Sequence, residues 1–211
     1  MKKIINWLMP KDKKLFEMLE EQSGNVLEAA KELKSLIDSY SSFERKERKA
    51  KAHSIKNLEE KIDGLNHEIL SKLDNATASS MIHMQKIALL LEEIADLIRD
   101  SALSFVILSI ERIDDYMLKL ASILHSSAQE LNKMILEMKN HKSMKESYEK
   151  LQSLKNDSED TYNEAVSELF HFYKNSIDIM KHREVYDLLK NAVKKCRSAA
   201  EIADGMAAGH S

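Results

Sequence analysis

The chain has 211 residues and a net charge of −3, with 43% hydrophobic and 32% charged residues but only 4 glycines and 1 proline. That is too few breakers for a β-sandwich or barrel, which needs turn residues about every 8–12 positions, and too much Leu, Ile, Val and Met for a disordered polyelectrolyte. The weak net charge gives no general attraction to nucleic acid, no apolar run approaches the roughly 20 residues that span a bilayer, and the lone Cys196 can form no internal disulfide, as suits a reducing compartment.

MKKIINWLMP, residues 1–10, is too short for a signal peptide and lacks a small-residue cleavage site, so a cytoplasmic protein is expected. Its Ile4, Ile5, Trp7 and Leu8 are expected to fold back onto the body of the protein and not to anchor it to a membrane. Pro10 opens a first helix running from Lys11 to about Asp38, with Leu15, Leu19, Val26, Ala29, Leu33 and Ile37 at helical spacing. Ser41-Ser42-Phe43-Glu44 has the pattern of a capping box. The second helix that it opens carries Ile55, Leu58, Ile62, Leu65, Ile69 and Leu73 and ends near Asp74-Asn75. A third begins around Thr77–Ser80 and carries Ile87, Leu90, Leu91, Ile94 and Ile98. Apolar residues then continue without a breaker, and a change of helix is expected near Ser104–Ser109. The fourth helix runs to about Lys139, and a turn at Asn140–Ser143 leads to a second capping-box pattern, Ser143 to Glu146. The fifth helix reaches about Lys174; the sixth begins after Asn175-Ser176 and ends near Gly205, read as a C′ glycine. Methionines such as Met81, Met134 and Met180 read as core filling.

The chain repeats itself. LEEKIDGLNHEIL, Leu58 to Leu70, answers to Leu154–Val166 at a shift of 96, pairing Leu58 with Leu154, Glu68 with Glu164 and Leu73 with Leu169. At a shift of 98, Leu90 meets Leu188, Leu91 meets Leu189 and Arg99 meets Arg197. The expected fold is therefore all-α, with six long helices forming two tandem, repeat-related three-helix bundles, residues 1–105 and 106–211, as one compact unit. The repeat is longer than the roughly 20–50 residues of a solenoid unit.

Glu59 and Asp63 on the second helix are four apart, as are Glu92 and Asp96 on the third. Residues four apart lie about 40° apart on one face, so each pair can present two carboxylates to one point. Ala88, Ala95 and Ala102 leave room beside Glu92 and Asp96 for a neighbouring helix. Carboxylates crowded at an interface repel unless protonated or neutralised, and divalent metals are the usual neutralising ions. His67, four residues beyond Asp63, can add an imidazole. Spacing alone leaves the bland reading open, because a helical chain with 35 acidic residues contains several such pairs by chance.

Three stretches resemble the PhoU-like accessory proteins of phosphate transport, including the short family called DUF47. MPKDKKLFEMLEEQSGNVLEAA (Met9 to Ala30) is similar to that family's opening, a P-K-D segment followed by an E-x-x-x-N-V-x-E-A-A helix. IKNLEEKIDGLNHEILSKL (Ile55 to Leu73) is similar to its second-helix motif, and EVYDLLKNAVKKCRSAAEIAD (Glu184 to Asp204) follows its last helix. The resemblance implies two three-helix bundles and metal bound through E(D)-x-x-x-D motifs on two helices of each. On this chain those motifs fall at Glu59/Asp63 and Glu92/Asp96, so the implied metal shell is Glu59, Asp63, Glu92 and Asp96 with His67 as a lesser ligand, holding iron, zinc, nickel or manganese. The second half departs from the pattern: the corresponding positions are Lys155/Glu159 and Lys190/Lys194. Protonated lysines ligate no metal, so a tethered ammonium replacing the cation, with Glu159 paired to a lysine, stands beside the reading of plain surface lysines.

The resemblance also implies a non-enzymatic regulator that contacts a phosphate transporter or its signalling partner, meets the membrane only through that partner, and self-associates. A metal-free scaffold acting only through protein contacts is the alternative. No glycine-rich phosphate loop, nucleophile triad or dinucleotide fingerprint points to catalysis. Glu168 and His171 have an E-x-x-H spacing with no second motif to complete a di-iron site, and the basic run Glu44–Lys56 reads as the solvated start of a helix.

Overall fold

The computed structural model describes residues 10–73, 79–140 and 142–208, so residues 1–9, whose folding back was expected, lie outside it. The described residues form six α-helices and no strand: α1 (Pro10–Asp38), α2 (Arg45–Leu73), α3 (Ser79–Ile107), α4 (Asp115–Lys139), α5 (Lys145–Phe172) and α6 (Ser176–Ala208), with a 3-10 turn at Tyr40–Ser42. The protein is all-α. Helices α1, α2 and α3 pack on one another, as do α4, α5 and α6; α3 lies along α6 and α1 along α4. The buried apolar side chains of both halves join in one core cluster.

The seam of α2 explains where the polar residues go. Its buried positions are Ala52, Ile55, Ile62, Asn66, Ile69 and Leu73. They follow the alternating three-and-four spacing of a heptad seam, and the missing member is Glu59, whose side chain is only 12% exposed. Leu65, expected on this stripe, is half-buried; one residue of rotation puts Asn66 on the seam in its place. Among the methionines read as core, Met134 is buried and Met81 packs against the core, but Met180 is 72% exposed. It lies in the second turn of α6, at an end where no neighbouring helix among the described residues covers it.

The joints depart from the sequence reading where burial outweighs local signals. Ser41 and Ser42 fall in the 3-10 turn, where the Ser42 hydroxyl donates to the Ser39 carbonyl at 2.7 Å. The capping arrangement forms one step later, with the Glu47 carboxylate accepting from the Glu44 N–H at 2.7 Å. The expected box at Ser143 gives way to Met144 as N-cap, without a side-chain cap, because Met144 is 5% exposed and its burial fixes the entry of α5. Helix α6 runs through Gly205 to Ala208, and Met206 just beyond the glycine is buried. Between α3 and α4 the chain turns over Leu108–Asp114, with Ser109 in the left-handed region at φ 50°. Asp114 caps α4 by accepting from the Met117 N–H at 2.9 Å, and its other oxygen accepts the Tyr186 hydroxyl.

Tyr40 holds the turn after α3 in place. Its hydroxyl lies 3.1 Å from the Phe105 carbonyl and 2.9 Å from that of Ile110, and its ring packs 5.4 Å from Phe105. At the same end Ile107, Phe172, Ile177 and Met180 are 72%, 75%, 61% and 72% exposed. Ile107, Ile177 and Met180 line an open cavity of about 540 Å³ between α3 and α6. No helix among the described residues is long and apolar enough to cross a membrane. Tyr40→Phe removes the hydroxyl; the Phe105 carbonyl keeps the Ile110 N–H at 3.2 Å, but the buried Ile110 carbonyl loses the hydroxyl donor, a loss of about 1–3 kcal/mol. Urea unfolding checks this: the midpoint falls and the slope is unchanged.

Candidate cation site between α2 and α3

Helix α2 descends and α3 returns against it, which brings the two acidic pairs together in opposite order. Glu59 comes level with Asp96 and Arg99, and Asp63 with Glu92. The Arg99 guanidinium bridges the first group: one nitrogen is 2.7 Å from Glu59 and 2.8 Å from Asp96, and two others bond the Asp100 carboxylate at 3.0 and 3.1 Å. Burial pushes the Glu59 carboxyl above its ordinary range, Arg99 draws it back, and Asp96 beside it raises it again. An internal cation thus sits where the sequence reading expected a metal ion.

The other half of the cluster has no such cation. Burial, and after it the charges of Asp63 and Asp96, push the Glu92 carboxyl up, with His67 acting against them. The Asn66 amide, 2% exposed, donates to Glu92, while its oxygen has no hydrogen-bond partner. His67 lies 3.4 Å from Asp63 and its side chain is 75% exposed. Among the described residues no three His, Cys, Asp or Glu side chains are drawn together around a single metal-holding point. The described side chains are therefore not gathered into a ready metal shell: Glu59 and Asp96 are held by Arg99, while Asp63, Glu92 and the unpartnered Asn66 oxygen lie beyond it, with His67 at the rim.

All five sequence-predicted residues lie along this one groove, but Asn66 and Arg99 were not among them. Asn66 carried a signal, since it is the polar member of an otherwise apolar three-and-four series from Ile62 to Ile69. Arg99, three residues after Asp96, carried a weaker one, and its bond to Glu59 crosses 40 residues of chain.

In the second half, Lys155 and Glu159 form an ion pair at 2.5 Å. Lys190 sits over the Tyr162 ring, 3.6 Å from its centre, and 3.4 Å from Asp187. His182 is nearly buried, its Nδ1 against the Asp178 carbonyl at 2.8 Å and its Nε2 3.9 Å from Asp114. Burial drives the Cys196 thiol up to about 12, so it is an inert core side chain and not a ligand or nucleophile.

No family model matches the chain, and no curated protein matches it in sequence. In three dimensions it is similar to the crystal structure of the phosphate transport system regulatory protein PhoU from Streptococcus pneumoniae, with a TM-score of 0.66 over 93% of this chain and 94% of that one, at 14% identity. The chain has a PhoU-like all-helical fold.

A carboxyl whose folded pKa is raised binds more protons in the native state than in the unfolded chain. Such a group therefore lowers stability as pH climbs from 4.5 through its raised value. Glu92→Gln removes that cost, so in metal-free protein the variant gains up to about 1 kcal/mol over the parent at pH 7. The gain vanishes below pH 4, where Glu92 is protonated in both states; denaturant midpoints at the two pH values measure it. Arg99→Gln has the opposite sign at pH 7 and costs about 1.5–3 kcal/mol, because half-buried Glu59 loses a charged hydrogen bond.

Proposed function

We propose that this protein is a non-catalytic, cytoplasmic regulator of phosphate transport, of the PhoU-like kind and of its short DUF47 branch, acting through contacts with a phosphate transporter or its signalling partner. The observation that carries the reading is the end-to-end fold correspondence with a phosphate transport regulator, 93% of one chain against 94% of the other. Nucleic acid has no part in it, the membrane is met through the partner, and the protein works as a homo-oligomer. For the contact surface we choose the end where Ile107, Phe172, Ile177 and Met180 stand exposed around the α3–α6 cavity. A patch of that kind is the usual mark of a protein-contact site.

The same proposal includes one transition-metal ion, iron, zinc, nickel or manganese, at the Asp63 end of the groove. Asp63 and Glu92 would hold it, with the Asn66 oxygen and His67 as further donors, while Glu59 and Asp96 stay with Arg99. The ion's contribution is charge: it would neutralise two crowded carboxylates and tie α2 to α3. The second reading, a metal-free scaffold, is favoured by one observation, the Arg99 guanidinium already lying between Glu59 and Asp96.

Elemental analysis of protein purified without chelator separates the two readings. About one equivalent of metal per chain, absent from Asp63→Ala/Glu92→Ala, supports the loaded regulator; a metal-free native protein leaves the scaffold. The contact surface has its own test in the double variant Phe172→Ser/Met180→Ser. Both side chains are exposed, so stability should move by less than about 0.5 kcal/mol, while recovery of the phosphate transporter or its signalling partner on affinity-purified protein drops at least tenfold. Equal recovery removes this surface from the proposal.

A further inference from the structure

The groove between α5 and α6 stands in the same register as the carboxylate groove between α2 and α3, with its charge inverted. At a shift of 96, Glu59 becomes Lys155 and Asn66 becomes Tyr162; at a shift of 98, Glu92 becomes Lys190 and Asp96 becomes Lys194. These are not scattered surface lysines. They line one cleft of about 340 Å³ with Tyr162, Asn163 and Asn191. The Lys155 and Lys190 side chains are 26% and 23% exposed, against 80% for Lys145 at the start of the same helix α5.

The charges in the cleft do not balance. Lys155 is held by Glu159 at 2.5 Å. Lys190 is shared between the Tyr162 ring and Asp187. Lys194, exposed, has no partner among the described residues. Three ammonium groups thus meet two carboxylates, Glu159 in the lining and Asp187 beside it, which leaves the charge of Lys194 unmatched next to two amide side chains able to donate hydrogen bonds. Lysines collected in a concave site bind multiply charged oxyanions as point charges, and amide N–H groups complete the oxygen shell. A single halide ion would match that charge but leave the amide N–H groups without an acceptor of their own, whereas the several oxygens of an oxyanion serve both. We infer that the α5–α6 cleft is a binding site for a small oxyanion of the phosphate class, held by Lys194 and by Lys190, which Asp187 holds only at 3.4 Å, with Lys155 at its edge. The volume admits an anion of inorganic phosphate or pyrophosphate size.

The inference does not rest on the transport reading, because it concerns the purified protein with no partner present. Isothermal titration with inorganic phosphate and with pyrophosphate, against sodium chloride at matched ionic strength, tests it. The expected result is saturable, one-site binding of at least one phosphate probe with Kd of about 1 mM or tighter and none of chloride. Lys194→Glu, at an exposed position that leaves the helical circular dichroism unchanged, weakens binding tenfold or more; Lys190→Gln/Lys194→Gln abolishes it. Lys145→Glu, on α5 but outside the cleft, leaves it unchanged. Absence of saturable binding by both probes overturns the inference, as does binding that Lys194→Glu leaves intact or that Lys145→Glu reduces equally.

Discussion

An ionised side chain on the seam between two packed helices gives up most of its water and must find a counter-charge inside the protein, because the seam has none to offer. Glu59 is in that position: the heptad spacing of α2 puts it between Ile55 and Ile62, at 12% exposure. The structure meets the requirement by bringing Arg99 of α3 across to it. The bond also ties the register of α2 to α3, since a slip of one turn would bring Ala95 or Leu103 to the place of Arg99. Asp114, beyond the C-terminal end of α3, meets a similar requirement. Its two oxygens divide between the first turn of α4 and the buried Tyr186 hydroxyl, so a half-buried charge also becomes a joint between α4 and α6.

Periodicity made most of this fold readable. Helices as long as α1 and α6 repeat their apolar spacing over seven or more turns, and a signal of that length survives local exceptions. The joints were less readable because caps are weak, about 1 kcal/mol each, and a single buried methionine outweighs them. Met144 displaced a serine cap, and Met206 drew α6 past a glycine. Met180 failed for a related reason: a three-to-four spacing says which face of α6 is apolar, not whether another helix extends far enough to cover it.

The candidate site divides in the same way. Paired carboxylates four residues apart are local information, and Glu59, Asp63, Glu92 and Asp96 could be picked out along the chain. Their compensation is not local. Arg99 reaches Glu59 across 40 residues and Asn66 reaches Glu92 across 26, and only the packing of α2 on α3 decides which charge meets which. A sequence shows that charges are crowded long before it shows what relieves them.

Arg99 and Arg197 make the point within one molecule. They are equivalent at a shift of 98, on α3 and α6. Arg99 turns into its groove to meet Glu59 and Asp96. For Arg197 the position equivalent to Glu59 is Lys155, and the positions equivalent to Glu92 and Asp96 are Lys190 and Lys194. A guanidinium entering that groove would add a fourth positive charge. It turns the other way instead, bonding Gln152 at 2.7 Å and the Tyr148 hydroxyl at 2.6 Å, with its plane 4.1 Å from the centre of the Tyr148 ring. The same residue in the same register makes opposite choices because the charge of the groove differs. Each groove then closes one pair internally, Glu59 with Arg99 and Lys155 with Glu159. Each also keeps charge of a single sign outside that pair: Asp63 and Glu92 in one, Lys194 in the other. Two halves built on one pattern therefore carry opposite charge at equivalent positions, carboxylates in the first and lysines in the second.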